Sequence, residues 1–134
     1  MPPKILVGCP VSDYHAYSTD TYIKAITSLT YPNYDILLVD NSEKEEFYQS
    51  LKKKVPVIRE FTQLPLKEKI ISARNRLRET VLKKGYEYFF SLEQDVIPPP
   101  NVIEMLLEHQ KDMIAGIYYT YVNLQNKTHI LPVL

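Results

Sequence analysis

Apolar runs of strand length alternate with helix-patterned segments along this chain. Lys4 to Val11 (KILVGCPV) is nearly continuous in apolar residues, as a strand buried on both faces would be, and Pro10 stops it. From Thr19 to Leu29 the side chains of Tyr22, Ile23, Ile26 and Leu29 fall on one helical face, with Thr19 or Asp20 as cap. Tyr34 to Asp40 (YDILLVD) predicts a second buried strand. Ser42 and Glu45 have capping-box spacing, which predicts a helix over Glu43 to Lys54 with Phe47 and Leu51 inward. Val55 to Glu60 is a short strand, and Pro56 assigns it to a sheet edge because proline has no N–H to give a ladder. Lys67 to Lys84 carries Ile70, Ala73, Leu77 and Val81 on one stripe and ends at Gly85. Glu87 to Val96 predicts the next strand. Pro100 then opens a helix with Val102, Ile103, Leu106 and Leu107 on its apolar face. Met113 to Tyr121 predicts a further strand, and the tail NLQNKTHILPVL reads as a hairpin arm or a loose end.

Strand and helix in alternation imply one α/β domain over residues 1–134. The expected architecture is three-layer α/β/α with a mostly parallel central sheet. Ligands of such sheets sit beyond the carboxyl ends of the strands. Three segments should therefore converge on one edge: Pro10 to Asp13, Asp40 with Asn41, and Glu93 with Asp95 at the end of a central strand.

Composition narrows the partners. Lys and Arg number 16 and so do Asp and Glu, giving zero formal net charge. Nucleic acid and anionic membrane need a basic excess, so neither is the expected partner. The single cysteine, Cys9, excludes an intrachain disulfide; its apolar setting predicts a buried, inert thiol. The amino-terminal apolar run is too short for a secretory signal, and no apolar stretch is long enough for a transmembrane segment. The expectation is a soluble, cytoplasmic protein. Three glycines, Gly8, Gly85 and Gly116, leave no Gly-rich phosphate loop. His15, His109 and His129 have no metal-ligand spacing.

The acids carry the chemistry. If the strand continues through Val96, Glu93 and Asp95 point the same way while Gln94 faces the other side. Two carboxylates so placed repel each other unless a cation or donors intervene. Mg²⁺ and Mn²⁺ are commonly held by one or two carboxylates plus substrate phosphates. Exposed strand-end acids are the plainer alternative.

The run ISARNRLRETVLKKGYEYFFSLEQDVIPPPNVIEMLL resembles the middle of a GT-A glycosyltransferase of the family 2 type: an A-R-N helix, a strand ending in D-x-D, and a proline turn before an amphipathic helix. KILVGCPVSDY resembles the first strand and nucleotide loop of that family, YDILLVDNS its second strand, and KDMIAGIYY the strand after D-x-D. The resemblance implies a nucleoside-diphosphate-sugar donor, UDP- or GDP-linked, and sugar transfer to an unknown acceptor. Pro10, Val11 and Ser12 would line the base and ribose, and Asp40 would hydrogen-bond the base. Asn41 stands where many relatives have a second Asp. Arg74 would lie near the nucleotide or brace the acidic strand. Glu93 would face ribose or metal, and Asp95 would hold Mn²⁺ or Mg²⁺ against the diphosphate.

The chain departs from that pattern in two places. Glu93 replaces the first Asp of D-x-D, and no Asp or Glu follows Asp112 to act as general base. The acceptor-binding half is therefore expected to be absent or much reduced. A non-catalytic nucleotide-sugar-binding module, or a fragment of a larger enzyme, is the alternative. A sugar nucleotidyltransferase ranks third, because Val11-Ser12-Asp13-Tyr14 stands where its Gly-rich loop belongs. A receiver-like regulatory domain ranks below it, since Asp13 is alone after the first strand. Tyr14 or Tyr17 could stack on a base or sugar. Tyr118, Tyr119 and Tyr121 alternate along a strand, with at least one expected to face the core; an exposed aromatic set there would suit a homo-oligomer.

Overall fold

In the computed structural model, which describes residues 1–60 and 63–133, the short parallel strands run into one another end to end. The order is β1 (Ile5–Gly8), β2 (Pro10–Val11), a 3-10 turn (Asp13–His15), α1 (Ala16–Thr27), β3 (Tyr34–Ile36), β4 (Leu38–Asp40), α2 (Glu45–Lys52), β5 (Val57–Arg59), α3 (Leu66–Lys84), β6 (Tyr88–Ser91), α4 (Val102–Leu107), β7 (Tyr118–Leu124) and β8 (Lys127–Val133). The described residues form two compact units, Met1–Asn101 and Val102–Leu134. The protein is mixed α/β with parallel sheets, as the alternating pattern predicts. Among the described residues no helix is long and apolar enough to cross a membrane.

In the first unit, β1 lies between β3 and β6, and β4 lies between β2 and β5. Cys9 alone separates β1 from β2, and Leu37 alone separates β3 from β4. The register is continuous across both gaps, with Ile5 opposite Tyr34 and Pro10 opposite Val39. Hydrogen bonds from Leu37 N to Val7 O (3.0 Å) and from Val39 N to Cys9 O (3.2 Å) carry the ladder across. At this join the backbones approach too closely for a side chain: a Cβ on Gly8 would overlap the Leu37 carbonyl oxygen and lie 3.3 Å from Leu77 Cδ2.

Helices meet the strands from opposite sides. Ala73 and Leu77 of α3 form a buried cluster with Val39, and Leu37 packs against it. Strand alternation turns Cys9 to the other face. There its thiol lies 3.3 Å from the Tyr22 hydroxyl of α1. That hydroxyl donates to Leu92 O at 2.8 Å, so the thiol is left to donate to the tyrosine oxygen. Burial, partly offset by the Tyr22 hydrogen bond, pushes the Cys9 thiol up to about 12, so it is the inert thiol expected.

Several boundaries shift for local reasons. The first helix starts at Ala16, a turn before the expected Thr19, because the 3-10 turn leads into it; Thr19 Oγ1 donates back to His15 O (3.2 Å). Tyr22, Ile23 and Ile26 are its buried face, as their spacing indicates. The Ser42–Glu45 capping box does not form: α2 begins at Glu45, and the Ser42 hydroxyl is taken by Asp40 at 2.6 Å. Pro56 precedes β5, which does lie at an edge. Gly85 ends α3 in the left-handed region (φ 67°), as expected. The acid-bearing strand stops at Ser91, not Val96, and β6 lies at a sheet edge, not in the centre. Val96 N closes a turn onto Glu93 O at 3.0 Å, and the proline run prevents any return to the ladder.

In the second unit β7 and β8 pair antiparallel, Tyr118 opposite Val133. Gln125 and Asn126 turn the hairpin with φ of 49° and 61°, the positive pair a two-residue hairpin loop needs. The hairpin arm is thus the alternative realised for the tail; Leu134 lies outside the described residues. The strand expected from Met113 begins at Tyr118, and Tyr118, Tyr119 and Tyr121 are all exposed, so none faces a core.

The Gly8–Leu37 contact generates a test. Gly8→Ala should lower stability by about 1–3 kcal/mol, the usual cost of overpacking, because the added carbon must push the strands apart. Urea unfolding measures it; wild-type stability would mean that the strands yield freely there.

Candidate functional site

A cavity of about 460 Å³ opens at the carboxyl ends of β2 and β4. Pro10 to His15 form one wall, Asn41 to Lys44 a second, and Glu93 to Asp95 a third, while Lys69, Ile70 and Arg74 of α3 close it. It gathers Pro10, Val11, Ser12, Glu93 and Asp95, expected at one edge from the strand order, together with Arg74, which the family resemblance alone had placed there. Asp40 is set apart. Its carboxylate is fully buried and does not line the cavity, while its neighbours Asn41 and Ser42 do.

Two side chains hold the walls together. Gln94 is 4% exposed. Its Oε1 accepts from Ser12 N at 3.0 Å, and its Nε2 donates to Thr19 Oγ1 at 2.8 Å, with Ser12 O (3.2 Å) and His15 O (3.3 Å) also in range. Ser42 joins the other pair of walls: its hydroxyl donates to Asp40 Oδ1 at 2.6 Å and accepts from Asp13 N at 2.8 Å. Ser12 and Asp13 thus spend their backbone N–H groups on protein side chains, so this loop offers neither as a donor to a phosphate.

Neither tie was read from the sequence. Gln94 was assigned only to the side opposite the acids, and Ser42 only to a helix cap. A polar residue inside an apolar strand end was the one available signal for Gln94.

The Asp40 carboxyl is raised above the ordinary range, chiefly by burial, with the Ser42 hydrogen bonds and the Arg59 charge opposing. Its Oδ2 is buried with no hydrogen-bond partner among the described residues. Such an atom makes the ionised form costly.

Glu93 and Asp95 flank the turn and do not sit side by side on a strand. Glu93 Oε1 accepts from Arg74 Nη2 at 3.0 Å. Both side chains are more than a third exposed, so this pair is worth about 0–1 kcal/mol and can reorganise. Asp95 is exposed. Among the described residues no three His, Cys, Asp or Glu side chains come together as a ligand set. Two carboxylates fit a hard cation only if phosphate oxygens and water complete its shell.

Aromatic rings edge the first wall. Tyr14 and Tyr17 are exposed; Tyr14 meets the His15 ring edge-on, with centroids 5.0 Å apart, and Tyr17 meets it tilted, at 5.9 Å. The backbone beneath them is fixed, since His15 O also accepts from Ser18 Oγ at 3.0 Å.

Asp40 sets a pH dependence. Its folded-state value lies above its ordinary 3.8, so the folded protein binds this proton more tightly than the unfolded chain does. Stability should fall as pH rises from about 3.8 through the raised value. Asp40→Asn should flatten that segment of the profile in thermal melts taken between about pH 3.5 and 7; an unchanged slope would assign the dependence to other groups. No protein-family model matches the chain, and no curated protein does, so its function has to be read from the residues around this cavity.

Proposed function

We propose that this cavity binds a nucleoside-diphosphate sugar, UDP- or GDP-linked, with Mn²⁺ or Mg²⁺, and that the chain belongs to a metal-dependent glycosyltransferase of the three-layer GT-A type. The observation that carries this reading is the convergence at one cavity of the loop after the first strand, the end of the second and the Glu93–Asp95 turn. Its volume is within the range of small-ligand sites. Helices meeting both faces of the parallel strands support the layer arrangement.

The site's chemistry supports the metal. A diphosphate needs positive charge, and the amides of Ser12 and Asp13 are spent within the protein. The cavity wall carries Lys44, with Lys69 and Arg74 already ion-paired to Glu43 and Glu93, so a cation on Asp95 and Glu93 would supply the charge that is still needed. When bound, that cation would neutralise charge on the departing nucleoside diphosphate. Pro10, Val11 and Ser12, with Asn41, would line the base and ribose. Asp40 would act through Ser42 by fixing the loop. The sugar acceptor is unassigned.

A non-catalytic binding module is the second reading. The Arg74–Glu93 ion pair favours it, because it occupies one of the two acids.

Calorimetric titration with UDP and with GDP, each with and without Mn²⁺, tests the proposal. One nucleotide should bind only with metal, and Asp95→Ala should weaken it at least about tenfold, or roughly 1.4 kcal/mol. No binding of either nucleotide would end this reading. Metal-dependent binding without hydrolysis of any sugar-nucleotide donor would favour the binding module.

A further inference from the structure

We propose that Gln94, the residue between the two acids, is a positioning residue that locks the loop after β2 to the acid turn, so that the nucleotide-facing wall and the metal-facing wall move as one body. The proposal rests on the donor-site reading above and assigns a role within that site.

The linkage is specific to an amide. One end of the Gln94 side chain must accept from Ser12 N and also donate toward Thr19 Oγ1, Ser12 O and His15 O. Glutamine has an acceptor and two donor hydrogens at that reach. A carboxylate only accepts, and a thioether does neither well. The main chain adds a further tie, because Ser18 Oγ donates to Gln94 O at 3.1 Å. These bonds join segments 75 to 82 residues apart in sequence, so they are not a local turn. Gln94 itself is buried beside two acids that are not. The buried side chain thus anchors the turn, while Asp95 stays exposed and Glu93 pairs with Arg74 at the surface.

A preorganised site binds more tightly because little order has to be gained on binding. Loss of the amide should therefore separate two readouts that a bond important only for folding would move together.

The test uses wild type and Gln94→Met. Gln94→Met should raise hydrogen exchange at the Ser12 amide at least about tenfold. The Val39 amide, in the ladder to Cys9 O, should keep its protection. Affinity for UDP or GDP with Mn²⁺ should fall at least about fivefold, roughly 1 kcal/mol.

Wild type that binds no nucleotide would overturn the donor-site reading itself. Wild type that binds while Gln94→Met binds equally well would overturn only the positioning role. So would a Ser12 amide that stays protected in Gln94→Met.

Discussion

The site depends on a single buried amide. Gln94 lies under the acid turn and bonds to the loop that follows β2, which would otherwise have to satisfy its own backbone. A buried peptide group without a partner is costly, so these bonds are close to obligatory once the loop is folded against the turn. Ser42 does the same for the loop and the end of β4. Three strand ends distant in sequence become one wall system, and a cavity exists between them because they cannot move apart independently.

The satisfied loop also limits the chemistry. Phosphate-binding loops work by leaving consecutive backbone N–H groups unspent. Here the two at Ser12 and Asp13 are consumed. An anionic ligand must therefore be met by side chains or by a cation. Under the proposed reading Glu93 and Asp95 would hold that cation, and Arg74 pairs with Glu93 in its absence. The exposed pair is weak enough to yield. The ties below it are buried and are not.

Beneath the cavity the same economy of space appears in the strands. Gly8 allows β1 to approach Leu37 where the ladder passes from one short strand to the next. Cys9 and Tyr22 fill the opposite face, with Tyr22 bonded to Leu92 just before the acids. The sheet join, the α1 contact and the acid turn are thus mechanically continuous. Disturbance at Gly8 or Tyr22 should reach the cavity through packing.

The sequence alone determined the alternation of strands and helices, the buried face of α1, the edge placement of β5 and the left-handed stop at Gly85. Each rests on local periodicity or on a residue with one permitted backbone role. It also brought the loop after the first strand, Asn41 and the two acids to one edge, because strands that run parallel end on the same side. Tertiary structure decided what those residues do to one another. The capping box was lost because buried Asp40 competes for the Ser42 hydroxyl. The acid strand stopped early because a turn and three prolines ended the ladder. The tyrosines of β7 stayed exposed because, among the described residues, that strand pairs with β8 alone. Gln94 was invisible as an anchor because its partners lie 75 to 82 residues away, and hydrogen bonds at that separation leave no periodic trace in a sequence.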